Sequence, residues 1–89
     1  MSQTVLVADD SQTIRKVVKL ALKVAPFEVA SAGSGEEALQ VAQQGPALVI
    51  LDYHFSDMSG YDVARQIKSQ QDVPIIMLAG KRHGFDEQK

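Results

Sequence analysis

Two apolar runs that each lead into carboxylates constrain the fold of this chain more than any other feature. Residues 47–51 are five apolar residues in a row, β-branched in the middle, and Asp52 follows them. Residues 4–8 lead in the same way into Asp9 and Asp10. Uninterrupted runs of this length are typical of strands buried on both faces of a parallel sheet. Because parallel α/β sheets carry their chemistry at the carboxyl ends of the strands, we expect these acids to meet in space and to hold a divalent cation.

Length and composition limit the class of protein. The chain has 89 residues, one domain at most, and its 45% hydrophobic and 22% charged residues are an ordinary globular balance. A net charge of −2 gives no reason to expect nucleic-acid binding. The chain has no cysteine, which excludes disulfides and Cys-ligated zinc and fits a reducing compartment. We see neither a signal peptide nor an apolar run of membrane-spanning length, so we expect a cytoplasmic protein without membrane contact.

The other patterns along the chain alternate between helix and strand. A first helix begins at Asp10 or Ser11 and ends before Pro26, and a third begins at Ser59. Between them, residues 34–37 form a capping box that opens a second helix. We expect the inward face of the first helix to comprise Ile14, Val17, Val18, Ala21, Leu22 and Ala25. The predicted strands are residues 4–8, 27–31, 47–52 and 75–78. This β-α-β-α-β-α-β order favours a parallel sheet with helices on both faces.

Four motifs, in this order and at this spacing, resemble the receiver domain of two-component response regulators. They are the strand ending in Asp9 and Asp10, the strand ending in Asp52, the Asp-Met-Ser-Gly turn at residues 57–60 and the run at residues 73–78. The resemblance starts at about residue 4 and extends through the chain. It implies a flavodoxin-like (CheY-like) α/β fold with strand order 2-1-3-4, in which residues 1–89 form one receiver domain that is incomplete at its C-terminus.

The resemblance also implies a role for each acid. Asp52 would be the phospho-acceptor. The phosphoryl group would come from a histidine kinase or a histidine phosphotransfer domain. Asp10 and Asp52 would bind Mg²⁺ directly, Asp9 would act largely through water, and the backbone carbonyl of His54 would complete the protein ligands. Hard oxygen ligands of this kind suit Mg²⁺. The simpler interpretation is that Asp9 and Asp10 cap a helix and that Asp52 only ends a strand.

The end of the chain departs from the family pattern in two ways. The fourth strand of the family ends in Thr or Ser, where this chain has Ala79. The fifth strand, which ends in Lys, and the fifth helix are expected to be missing. We take Ala79, Gly80 and Lys81 as the candidate phosphate pocket and switch. The alternative for Lys81 is a solvated loop charge.

Two further features concern partners. The basic residues of the first helix either face solvent or contact the phosphodonor; they are Arg15, Lys16, Lys19 and Lys23. A missing fifth helix would expose apolar surface and leave the fourth strand as an open edge. We therefore expect a fragment or a homodimer, including one formed by exchange of elements.

The leading hypothesis is a signalling domain that changes conformation on phosphorylation, and not a turnover enzyme. The alternative is a pseudo-receiver, a protein-interaction module with impaired phosphorylation switching, which the alanine at position 79 favours. A Mg²⁺-dependent phosphatase of the haloacid-dehalogenase type is disfavoured. That type has a second acid two residues after the nucleophile, where this chain has His54.

Overall fold

A four-stranded parallel sheet organises the molecule. The computed structural model describes residues 3–23 and 26–78. Its elements are, in order, β1 (Gln3–Ala8), α1 (Gln12–Leu22), β2 (Phe27–Ala32), α2 (Gly35–Ala42), β3 (Leu48–Asp52), α3 (Gly60–Gln70) and β4 (Ile75–Leu78). The strand order is β2-β1-β3-β4 and every pairing is parallel. The predicted topology is confirmed, and the strand boundaries differ from the predicted ones by at most one residue. Helix α1 ends at Leu22, three residues before the end that Pro26 predicts.

Alternation of side chains along the strands produces two buried faces. In β1, Leu6 and Ala8 point to one face, whereas Val5 and Val7 point to the other. The first face packs against α2 and α3 and forms the main core. Its buried members are Leu6, Ala8, Ala32, Ala38, Ala42, Val49, Leu51, Phe55, Val63, Ile67 and Val73.

The opposite face is covered less completely. Helix α1 packs on β1 and β2 there, and none of its residues is buried. The predicted inward face is thus only half right. Ile14, Val18 and Leu22 are half-buried, whereas Val17 is 56% exposed and Ala21 is also exposed. Within residues 3–23 and 26–78, α1 is the helix that packs on this face, so its flank has no second helix to contact. Ala25 lies outside the described residues.

A serine hydroxyl caps each of the three helices in the described part of the chain. Ser11 Oγ accepts from the N–H of Ile14 at 3.3 Å, and Ser34 Oγ accepts from the N–H of Glu37 at 3.1 Å. The predicted capping box differs in one detail. The Glu37 carboxylate accepts from the N–H of Gly33 at 2.9 Å, one residue before the expected Ser34. After α2, the chain turns at Gly45 with a φ of 75°, a conformation that favours glycine.

In the part of the chain that the structure describes, no helix has the length and apolar character needed to cross a lipid bilayer.

Burial predicts unequal costs for two leucine substitutions. Leu51→Ala should lower the free energy of unfolding by about 2–5 kcal/mol, because it opens a cavity in the main core. Leu20→Ala is the matched control. Leu20 is 64% exposed on α1, so the same change should stay within about 0.5 kcal/mol. Urea unfolding measures both values, and equal losses would contradict the assignment of the two faces.

Candidate functional site

The sheet brings the acids of β1 and β3 to one edge. These strands are neighbours, and Ala8 pairs with Leu51 in the parallel register. One step further along each strand, Asp9 therefore lies opposite Asp52. Two acids that are 43 positions apart in the sequence become adjacent because a crossover connection returns β3 to the side of β1.

Asp9, Asp10 and Asp52 form a compact carboxylate cluster. Each offers one oxygen, and these oxygens all lie within 4.8 Å of one another. Asp9 and Asp52 are buried, whereas Asp10 is exposed. At such a separation, two ionised carboxylates repel by about 3 kcal/mol at an effective dielectric constant near 20. A hard divalent cation relieves this repulsion, and three carboxylate oxygens of which one faces solvent are ligands that suit Mg²⁺. The residues present therefore fit such an ion.

The backbone around Asp9 is held by three hydrogen bonds. Its N–H donates to the carbonyl of Ala32 at 3.0 Å, and its carbonyl accepts from Arg15 Nη1 at 2.6 Å. Asp9 Oδ1 also accepts from the N–H of Ser11 at 2.8 Å. Ser11, and not Asp9 or Asp10, is the N-cap of α1. The simpler interpretation, in which these acids serve as the helix cap, does not match this geometry.

Arg15 differs from the other basic residues of α1. It is half-buried and bonds the Asp9 carbonyl, whereas Lys16, Lys19 and Lys23 are exposed. Helical spacing alone places Arg15 on the solvent side. Its long side chain instead reaches past the first turn of α1 to the end of β1. Arg15 thus holds the backbone of Asp9, a contact that the sequence pattern missed.

The β3–α3 loop, residues 53–59, follows Asp52 directly. Phe55 is 1% exposed and anchors the loop in the main core, and its N–H donates to the carbonyl of Met58 at 3.0 Å. The loop closes where the N–H of Gly60 donates to the carbonyl of Tyr53 at 2.9 Å. A methyl group on Gly60 would overlap the carbonyl oxygen of Asp52 and lie 2.6 Å from Tyr53 Cα. Only glycine lets α3 begin this close to the acid.

Asp57, in the same loop, contacts the first turn of α2. Its Oδ1 accepts from the N–H of Gly35 at 2.9 Å, and its Oδ2 accepts from the N–H of Glu36 at 3.0 Å. These two N–H groups hold the pKa of the Asp57 carboxyl below its usual value of 3.8. In the sequence, Asp57 stands out only as part of the Asp-Met-Ser-Gly turn motif. Because its partners lie 22 and 21 positions away, no local spacing signals them.

Of the remaining predicted site residues, the structure describes only His54. His54 is exposed and forms an isolated antiparallel bridge with Ser59. The ligand role of its backbone carbonyl stays a prediction. Ala79, Gly80 and Lys81 lie outside the described residues, and their predicted place in a phosphate pocket stays untested.

The sequence of this chain is similar to those of a known protein family. The family model described as the response regulator receiver domain matches residues 5–89. A probable transcriptional regulator, ycf27, of Pyropia yezoensis is 40% identical over 77 residues, covering 85% of this chain and 32% of the relative. The transcriptional regulatory protein SrrA of Staphylococcus aureus is 35% identical over 82 residues, covering 91% and 34%. The chain spans about a third of the length of these relatives.

Solved structures of similar fold include two with high coverage. The chemotaxis response regulator CheY4 of Vibrio cholerae has a TM-score of 0.84 and 32% identity, covering 99% of this chain and 77% of that one. The response regulator TrrA of Thermotoga maritima, solved in complex with Mg²⁺ and BeF, has a TM-score of 0.81 and 37% identity, covering 96% and 76%.

The close approach of Gly60 can be tested by adding one methyl group. Gly60→Ala should lower the free energy of unfolding by about 1–3 kcal/mol, because the methyl group displaces the Asp52 carbonyl. It should also shift the NMR signals of Asp52 and Tyr53. Gly45→Ala is the control, with open space around it but a positive φ that strains alanine. That variant should be destabilised without any shift at Asp52, and a similar shift in both variants would contradict the account.

The lowered pKa of Asp57 predicts how stability depends on pH. A carboxyl whose pKa is lower in the folded state stabilises the fold above its usual pKa, and this contribution is lost as pH falls through the folded value. The stability difference between the wild type and Asp57→Asn should therefore be constant above about pH 5 and shrink as the pH falls below the usual pKa of 3.8. Urea unfolding across this range measures it.

Ser34→Ala provides the control, because it removes a cap from the same helix without removing a titrating group. Its cost should not follow this pH profile. A difference between the wild type and Asp57→Asn that is the same at both ends of the range would contradict the prediction.

Proposed function

The chain belongs to the response regulator receiver domain family, and from that premise we propose that it accepts a phosphoryl group on Asp52 in a Mg²⁺-dependent reaction and signals by a change of conformation. One observation carries the proposal. Asp9, Asp10 and Asp52 place three carboxylate oxygens within 4.8 Å of one another at the ends of two neighbouring strands. The resemblance to TrrA, which was solved with Mg²⁺ and BeF, supports it.

The proposed reaction is a nucleophilic displacement at phosphorus. An oxygen of Asp52 forms a bond to the phosphorus of a phosphohistidine donor while the P–N bond breaks. The electron pair of that bond leaves with the imidazole, which takes up a proton. The products are an aspartyl phosphate on this chain and a histidine on the donor. A histidine kinase or a histidine phosphotransfer domain supplies the donor.

The residues that would hold Mg²⁺ are Asp9, Asp10, Asp52 and the backbone carbonyl of His54. When bound, the ion neutralises negative charge on the phosphoryl oxygens. Burial of Asp9 and Asp52 keeps their oxygens in place, and the exposed Asp10 leaves the cluster open on the side from which a donor approaches. The protein thereby supplies a nucleophile that is held in place beside one acid that faces solvent.

The proposal also covers how the domain acts, where it acts and what it contacts. The domain acts as a switch without turnover, in the cytoplasm, and the exposed lysines of α1 offer a basic surface to the phosphodonor. Pairing with a second copy belongs to the same proposal. An interaction module without phosphorylation is the second candidate, because position 79 carries alanine and not a hydroxyl-bearing residue.

NMR of the protein with Mg²⁺ and then beryllofluoride, a mimic of the phosphoryl group, tests the proposal. In the wild type both additions should shift the signals of Asp10 and Asp52. Asp52→Asn should abolish the beryllofluoride response and weaken Mg²⁺ binding, because it removes one of three carboxylates. Asp72→Asn, the same change at a fully exposed acid, should leave both responses intact.

The outcomes separate the candidates. A Mg²⁺ response without a beryllofluoride response would favour the interaction module and contradict phosphoryl acceptance. If neither Mg²⁺ nor beryllofluoride shifts the NMR signals of the wild type, the metal site is contradicted as well.

A further inference from the structure

The first turn of α2 takes most of its capping from a distant part of the chain. The N–H groups of Gly35 and Glu36 donate to the two carboxylate oxygens of Asp57, and only the next N–H, that of Glu37, donates to the local cap Ser34. A carboxylate at a helix N-terminus is stabilised by the helix dipole and by charge-assisted hydrogen bonds. The contact is therefore a tie between α2 and the β3–α3 loop.

Apolar packing reinforces this tie. Met58 is half-buried against the main core and lies directly on Gly35. A methyl group on Gly35 would overlap Met58 Cγ and lie 2.7 Å from its sulfur. Absence of a side chain at position 35 thus lets the loop approach α2 closely enough for Asp57 to reach two successive N–H groups.

The loop in turn has little freedom relative to the acid that precedes it. Its ends are joined by the bond from the Gly60 N–H to the Tyr53 carbonyl, and its middle is anchored by the buried Phe55. Gly60 also lies against the carbonyl of Asp52. A shift of this loop would therefore move the backbone on which the Asp52 carboxylate is mounted.

We propose that Asp57 is a positioning residue for the phosphoryl-accepting site: by tying the β3–α3 loop to the N-terminus of α2, its carboxylate fixes the backbone next to Asp52. The inference rests on the proposed function, since it concerns the same site. The two bonds of the Asp57 carboxylate are directed to α2 and not to the carboxylate cluster, so Asp57 acts through the loop. The carboxyl of Asp57 is charged at neutral pH, as an ordinary aspartate is, so the tie is present under the conditions of the reaction.

The rival explanation is that Asp57 only caps α2. Ser34→Ala tests this, because it removes a first-turn acceptor from the same helix and leaves the tie to the loop in place. Asp57→Ala removes both bonds of the tie. Asp57→Asn keeps one carbonyl acceptor and serves as the conservative variant if the alanine variant does not fold.

The experiment measures beryllofluoride affinity in the presence of Mg²⁺, together with amide hydrogen exchange, for the wild type and the three variants. Asp57→Ala should weaken beryllofluoride binding by about tenfold, as loss of an outer residue that orients a metal site commonly does. It should also speed the exchange of the Phe55 and Gly60 amides, whose hydrogen bonds close the loop. The beryllofluoride affinity and the amide exchange rates of Asp57→Asn should lie between those of Asp57→Ala and the wild type. Ser34→Ala should leave the affinity and both loop amides unchanged.

Failure of the inference differs from failure of the proposed function. If the wild type binds beryllofluoride and the Asp57 variants bind it equally well, Asp57 does not position the site and the inference is overturned. Equal losses in Ser34→Ala and Asp57→Ala would overturn it too, in favour of simple helix capping. A wild type that does not bind beryllofluoride contradicts the proposed function. In that case the amide exchange rates still test whether Asp57 holds the loop. If the Phe55 and Gly60 amides exchange at the same rate in Asp57→Ala as in the wild type, the inference is overturned.

Discussion

The parallel pairing of β1 with β3 is the contact on which the rest of the structure depends. In this register Ala8 faces Leu51, so the next residue on each strand is an acid. The buried side chains that hold the pairing in place belong to both faces of the sheet. A shift of one residue would turn the core side chains of either strand to the opposite face, which is why the register is strongly specified. The chemistry at the edge of the sheet is thus fixed by apolar packing in its interior.

A second level of order surrounds the carboxylates. Arg15 from α1 bonds the Asp9 carbonyl, and Asp57 from the β3–α3 loop bonds the start of α2. The first contact joins the end of β1, which carries Asp9, to α1. The second joins the loop that follows Asp52 to α2. Gln71 adds a similar contact at the other end of α2, where its side-chain amide donates to the carbonyl of Ala42 at 2.8 Å. Helix α2 is therefore held at both ends by residues that flank α3.

The elements could be predicted from short-range signals, because apolar runs mark strands and serines mark helix starts. The strand order that brings the acids together is implied by the resemblance to receiver domains. Three features could not be predicted. The bonds of Asp57 and Arg15 depend on tertiary placement, and the exposure of Val17 depends on which elements cover the sheet beside α1. Helical periodicity identifies an apolar face, but it does not say how much of that face another element covers.

The central claim is that Asp52, held in a cluster of three acids, accepts a phosphoryl group with the help of Mg²⁺. Intact mass measured after incubation with phosphoramidate tests it most directly, since this donor needs no partner protein. We expect a gain of one HPO₃ unit in the presence of Mg²⁺ and no gain in EDTA or in Asp52→Asn. Hydroxylamine should convert the acyl phosphate to a hydroxamate, which peptide mapping should locate at Asp52. An unchanged mass in the wild type with Mg²⁺, or the same gain in Asp52→Asn, would contradict it.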